Sequence, residues 1–231
     1  MRCVVFSDIH GNVAALKSML QQLKKEKADL YIFCGDVVGY FFHQKEVIKY
    51  LQCLPRLCAV MGNHDFYYLN SLASEEKRQS YNEKYGKSYL NTLSDREVDF
   101  LKNLPEVVEL HLENKKILVT HGSPERHLEG RVYPDTVVDE LFYHPYDFVI
   151  LGHTHYQMYR RLDKTVLLNP GSLGQPRDGK GYSYCILDTK TGKCRFQTVD
   201  IDQAALVWEL VEAKENKKLV QYLKGKMGGV V

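Results

Sequence analysis

Apolar runs in this chain stop repeatedly at residues that bind metal ions. CVVFS leads into Asp8-Ile9-His10, LYIFC into Gly35-Asp36, LCAVM into Gly62-Asn63-His64-Asp65, ILVT into His121, and DFVIL into Gly152-His153-Thr154-His155. Apolar runs rich in β-branched residues and cut off by Gly or a polar cluster read as buried strands of an α/β sheet. Open α/β sheets bind their ligands outside the carboxyl ends of the strands. Strand ends that deliver this chemistry to one edge therefore predict a metal site.

The 231 residues, 44% hydrophobic and 26% charged, suit one domain spanning 1–231 with a full core. A net charge of +2 with dispersed basic residues argues against a duplex nucleic-acid binder and leaves a small phosphate-bearing substrate open. The first apolar run is far shorter than a signal h-region of roughly 7–15 residues or a spanning helix of about 20. A cytoplasmic protein without membrane attachment is expected. The six cysteines show neither C-x-x-C pairs nor framework spacing, so Cys3, Cys34 and Cys58 read as reduced core residues.

Asn12 caps a helix whose Val13, Leu16, Met19, Leu20 and Leu23 recur at helical spacing. The order strand, helix, strand, helix, strand runs up to Val60. A polar, tyrosine-rich helical insertion follows at about 66–105, its last helix opened by a Ser94–Glu97 capping box. Strands are then expected at 106–112 and 116–121, a short helix at 135–144, and paired strands at 147–152, 156–162, 165–168, 181–188 and 193–201. One amphipathic helix over about 203–223 should cover a sheet face.

Residues two apart in an extended segment point the same way, so Asp8 with His10, and His153 with His155, can each aim two ligands into one space. Carboxylate with imidazole suits manganese, iron or zinc better than calcium or magnesium alone. A closed tetrahedral site takes about four protein ligands. Asp8, His10, Asp36, Asn63, His121, His153 and His155 exceed that and suffice for two metals bridged by Asp36. Two divalent ions set against two aspartates leave a positive site that wants an anion. Two-metal sites lower the pKa of a bound water and clamp both sides of an in-line displacement at phosphorus. Phosphoester hydrolysis is the chemistry this favours.

The series D-x-H, G-D, G-N-H-D, H and G-H-x-H resembles the calcineurin-like metallophosphoesterase superfamily, and its order and spacing are most similar to the small bacterial and archaeal phosphodiesterase branch. The stretch from Asn169 to Arg177 is similar to one found in that branch. The resemblance implies a four-layer α/β/β/α sandwich of two mixed sheets flanked by helices. It also implies a dinuclear centre, manganese first, with iron, zinc, nickel or magnesium as alternatives. Asp8, His10, Asp36 and His155 would hold one metal, and Asp36, Asn63, His121 and His153 the other. A bridging hydroxide would be the nucleophile, His64 would protonate the leaving oxygen or stabilise the transition state, and Asp65 would orient the His64 ring.

Phosphoprotein phosphatases of the superfamily carry G-D-x-V-D-R-G, whereas this chain reads Gly35-Asp-Val-Val-Gly-Tyr40 and lacks that arginine. A small phosphodiester, nucleotide-like or otherwise, is the expected substrate, with a small phosphomonoester as alternative and a noncatalytic scaffold as a third reading. Arg177 and Tyr40 are the candidate substrate-binding residues. Tyr40, Phe41, Phe42, Tyr67, Tyr68, Tyr81, Tyr85 and Tyr89 are aromatics near the ligand edge that could stack on a base.

Overall fold

The computed structural model describes residues 1–24, 26–85, 93–213 and 217–226; Tyr89 lies outside them. Two mixed five-stranded sheets form its centre. The first comprises β1 (Arg2–Phe6), β2 (Leu30–Phe33), β3 (Leu57–Ala59), β9 (Tyr182–Asp188) and β10 (Cys194–Val199), in the order β10-β9-β1-β2-β3. β1, β2 and β3 run parallel, and β9 pairs antiparallel with both β1 and β10. The second comprises β4 (Val107–Leu112), β5 (Lys115–Thr120), β6 (Phe148–Ile150), β7 (Gln157–Leu162) and β8 (Thr165–Pro170), in the order β4-β5-β6-β8-β7. Glu113 and Asn114 both take positive φ, the requirement of a two-residue type I′ hairpin, and they join β4 to β5.

Alternation along the strands builds the layers. Cys3, Val5, Ile32 and Cys34 of the first sheet meet Ile117, Val119, Ile150 and Leu168 of the second in a shared core. Val4, Phe6 and Phe33 point the other way, against Leu16 and Met19 of α1 (Val13–Leu23) and Ile48 and Leu51 of α2 (Gln44–Cys53). Asn12 caps α1 as expected, its side chain accepting the Ala15 N–H at 3.1 Å. Each such Leu or Ile contributes about 1.5–3 kcal/mol by leaving water. The insertion folds as α3 (Asn63–Ser71), α4 (Glu75–Tyr85) and α5 (Asp95–Lys102), and Glu97 accepts the Ser94 N–H at 2.7 Å in the expected box.

Two elements differ from expectation. The helix expected at 135–144 shrinks to one 3₁₀ turn, Glu140–Phe142, because only Val138 and Tyr143 pack inward while Val137 and Leu141 stay exposed, which leaves no continuous apolar stripe for a longer helix. The C-terminal helix is two, α6 (Gln203–Glu212) and α7 (Lys217–Lys226), since the polar run at 212–218 interrupts the apolar stripe. This pair does not cover a sheet face. Leu206, Leu210, Leu219 and Leu223 close instead on fully buried Phe41, in the loop after β2. Glu209 meets the His43 imidazole at 2.7 Å, and the Tyr222 hydroxyl donates to the Pro176 carbonyl. Two loops that border the ligand residues are thereby pinned from outside. No helix among the described residues is long and apolar enough to cross a membrane.

Candidate metal centre

All the sequence-predicted ligands converge at the carboxyl ends of β1, β2, β3, β5 and β6, and all are buried. Their backbone is not the extended one that residue spacing suggested. Asp8, His10, Asp36, His153 and His155 have φ of 55°, 50°, 65°, 67° and 62°, in the left-handed region. β1 ends at Phe6, so Asp8 and His10 converge through successive tight bends and not through a pleat. Left-handed non-glycine residues cost of order 1–3 kcal/mol each and persist where surrounding structure over-determines them. Here Asp8 N–H donates to Gly35 O at 2.9 Å and His10 N–H to Asp36 O at 3.0 Å, tying the two ligand loops together. The stretch after β8 adds further ties: the Ser172 hydroxyl donates to Asp8 O at 2.8 Å, and the Asn169 amide to Gly152 O at 2.7 Å.

The imidazoles are oriented from behind. His10 Nδ1 meets Val38 O at 2.9 Å, His121 Nδ1 meets Cys34 O at 2.6 Å, and His155 Nδ1 meets Gln175 O at 2.5 Å. A carbonyl accepts only, so each Nδ1 carries a proton and each ring turns its Nε2 toward the centre, the usual arrangement for metal-ligating histidines. His10 Nε2 and His155 Nε2 then face one another at 3.2 Å, with Asp8 Oδ1 3.1 Å from His155 Nε2. On the other side, Asn63 Oδ1 lies 2.9 Å from His121 Nε2. Asp36 Oδ2 stands between, 3.7 Å from His10 Nε2 and 3.4 Å from His121 Nε2. Asp8 Oδ1 and Asp36 Oδ2 have no hydrogen-bond partner among the described residues. Orphaned carboxylate oxygens facing imidazole lone pairs are costly unless a cation sits among them, so the donor set fits divalent metal.

Electrostatics agree with that donor set. Burial opposes ionisation of Asp8 and Asp36, but His155 holds Asp8, and His121 holds Asp36, below the usual carboxylate range. Burial lowers His121 while the charge of Asp36 raises it further, to about 9. His153 stands further out: burial, then His121, bring it down to about 3, and its Nε2 accepts from Arg131 Nε at 3.3 Å.

His64 packs edge-on against His10 and Tyr85, with ring centroids 4.8 Å away in both cases, and lies tilted against Tyr40 at 5.0 Å. Burial brings it down to about 4, and its Nδ1 has no partner among the described residues. Asp65 does not orient that ring. Its carboxylate accepts the backbone N–H groups of Asp36, Val37, Val38 and Gly62 at 2.9–3.0 Å. As the third residue of α3 it can turn back on the helix entry and brace the Asp36 loop, which a residue adjacent to His64 cannot do for the His64 ring itself. Burial and the charge of Asp36 push Asp65 up to about 7.

Gly62 is required by close approach. A Cβ there would lie 2.1 Å from Asp36 Oδ1 and 2.3 Å from Asp36 N. Gly62→Ala is expected to displace Asp36 and weaken metal retention about 10–100-fold, measured by elemental analysis after dialysis against graded chelator; undiminished retention would show that the loop yields without consequence.

Above the ligands opens a cavity of about 600 Å³ lined by Tyr40, Arg177, Tyr67, Tyr85, Lys84, Arg126, Glu129 and Arg131. The substrate candidates Tyr40 and Arg177 touch one another, Arg177 Nη2 donating to Tyr40 Oη at 3.4 Å. Sequence reasoning missed Lys84, Arg126 and Arg131. The available signal was their place in segments that follow the Asn63 and His121 ligands, the only hint that such cations would fold back over the centre.

Facing mixed sheets with carboxylates and imidazoles at their carboxyl edge define the metallophosphoesterase class of protein. Residues 1–192 match the calcineurin-like phosphoesterase superfamily domain, and the chain belongs to that family of metal-dependent phosphoric ester hydrolases. It is 33% identical over 220 residues to the protein MJ0912 of Methanocaldococcus jannaschii, covering 86% of this chain and 87% of that one. Phosphodiesterase MJ0936 of the same organism is 23% identical over 172 residues, covering 74% and 83% of the two chains. A metallophosphoesterase from Sphaerobacter thermophilus superposes with a TM-score of 0.81 at 26% identity, covering 96% of this chain and 98% of that one.

Proposed function

We propose that the chain is a dinuclear-metal phosphodiesterase acting on a small, nucleotide-like or other phosphodiester, with manganese as the working ion. The observation that carries this reading is Asp36 Oδ2, without a hydrogen-bond partner among the described residues and standing between His10 Nε2 and His121 Nε2. A ligand shared by two ions would occupy such a position. Asp8, His10, Asp36 and His155 would hold one ion, and Asp36, Asn63 and His121 the other, with His153 joining it once Arg131 releases Nε2. When bound, the ions supply Lewis-acid stabilisation of the phosphoryl oxygens and a water acidic enough to attack at neutral pH.

The chain's own residues do the rest. Tyr40 and Arg177 bind and orient the ester at the His10 end of the cavity, and a guanidinium suits a phosphoryl group through its planar fork. His64 passes a proton to the departing oxygen. Asp65 keeps the Asp36–Val38 backbone fixed while charge moves past it. A relative named as a phosphodiesterase over most of this chain's length supports a diester over a monoester.

Purified protein supplied with manganese is expected to hydrolyse bis(p-nitrophenyl) phosphate, and to do so faster than p-nitrophenyl phosphate. Turnover of the monoester alone would replace this reading with a phosphomonoesterase. Metal analysis giving fewer than two ions per chain at saturation would remove the dinuclear centre.

A further inference from the structure

The cavity carries more positive charge than a simple diester can use. Beyond the ligands it presents, among the described residues, Lys84, Arg126, Arg131 and Arg177 against a single further carboxylate, Glu129. Glu129 is already engaged, by Arg126 at 3.3 Å and by the Tyr67 hydroxyl. Among the described residues no carboxylate lies in ion-pair contact with Lys84, Arg131 or Arg177. Unpaired cations gathered around a pocket favour a polyanion.

Their placement is directional. Arg131 Nε reaches His153 Nε2 at 3.3 Å, and the His153 ring lies 5.0 Å from that of His121. Arg177 sits at the opposite end, where it contacts Tyr40, whose ring lies 4.7 Å from that of His10. The two guanidinium groups thus bracket the centre along the line from His121 to His10. Lys84 is held at the wall, its ammonium 5.8 and 5.1 Å from the Tyr67 and Tyr85 ring centroids. A phosphoryl group seated at Asp36 has one arginine on either side, so a phosphate chain extending in either direction meets a planar fork suited to bidentate contact.

We propose that the substrate is an organic ester in which the scissile phosphoryl group is linked to at least one further phosphate, with the second phosphate held by Arg131 or Arg177. This rests on the phosphodiesterase reading above. One water is consumed: its oxygen ends on the attacked phosphorus, the P–O bond to the leaving group breaks, and a proton passes to the departing oxygen. An extra phosphate held by a charged hydrogen bond is worth about a tenfold preference.

The test uses two nucleoside p-nitrophenyl esters that share base, sugar and leaving group and differ in carrying one or three phosphates between them, assayed in excess manganese alongside bis(p-nitrophenyl) phosphate. Wild type is expected to show kcat/KM about tenfold higher or more for the triphosphate ester, and Arg131→Gln with Arg177→Gln to bring the ratio towards one. Calorimetry of the metal-free protein gives a second readout, with inorganic tripolyphosphate expected to bind about tenfold more tightly than orthophosphate in wild type and to lose that advantage in the double variant. A ratio near one in wild type while bis(p-nitrophenyl) phosphate is turned over, or a ratio that survives both substitutions, overturns this proposal alone. No turnover of any of the three esters overturns the phosphodiesterase reading with it.

Discussion

Asp36→Asn is expected to abolish measurable turnover and metal retention together. The substitution preserves shape, and its side-chain oxygen can still accept the His64 N–H that Asp36 Oδ1 takes at 2.8 Å. What it removes is the negative charge between His10 and His121, a position from which a single carboxylate reaches both halves of the ligand set. Deleting one preorganised donor at an active site typically costs about 10²–10³ in rate; in the dinuclear reading this charge would serve two ions, so a loss of about 10³ or more is expected for kcat/KM. Elemental analysis should find both ions depleted, while circular dichroism in chelator should match wild type. A variant that keeps two ions per chain would show that Asp36 does not bridge.

His64→Ala comes second in size, and its diagnostic is the leaving group. General acid assistance contributes about 10²–10⁴, and an oxygen that departs readily as an anion needs it least. The variant is expected to lose about 10²-fold or more on an alkyl ester and distinctly less on a nitrophenyl ester, with metal content unchanged. His64 also lies within ligand distance of His10 and Asp36. A loss of one ion, or an equal loss on both esters, would make it a ligand instead of an acid.

Much of the fold was legible because strand-forming runs and their terminators are local. The order of β1 to β3 with α1 and α2, and the Asn12 and Ser94 caps, depend on residues a few positions apart. That the candidate ligand residues gather at one edge was legible for the same reason, since they directly follow β1, β2, β3, β5 and β6. What was not legible depends on partners far along the chain. Asp65 looks like the natural neighbour of His64, yet its four donors come from the segment around Asp36 and from Gly62, and only tertiary structure brings those amides together. The left-handed backbone at Asp8 and His155 leaves no compositional trace, because Asp and His are not glycine. The break between α6 and α7, and their seat on Phe41, required knowing that the loop after β2 offers an apolar face. Arg131 belongs to a loop whose course over the centre no periodicity predicts.

The pairing of β1 with β9 has a bearing on how the protein is made. Arg2 lies opposite Asp188 and Val5 opposite Cys185, so β1 waits for a strand made much later in synthesis before its sheet is complete. Asp8 and His10 must likewise await His155, and the loop carrying Tyr40 awaits Leu219 and Leu223. Contacts so distant in sequence form late and slowly. Asp8, His10 and His155 therefore come together only after the intervening chain has been made and has folded, and a metal ion held by all three would be bound no earlier.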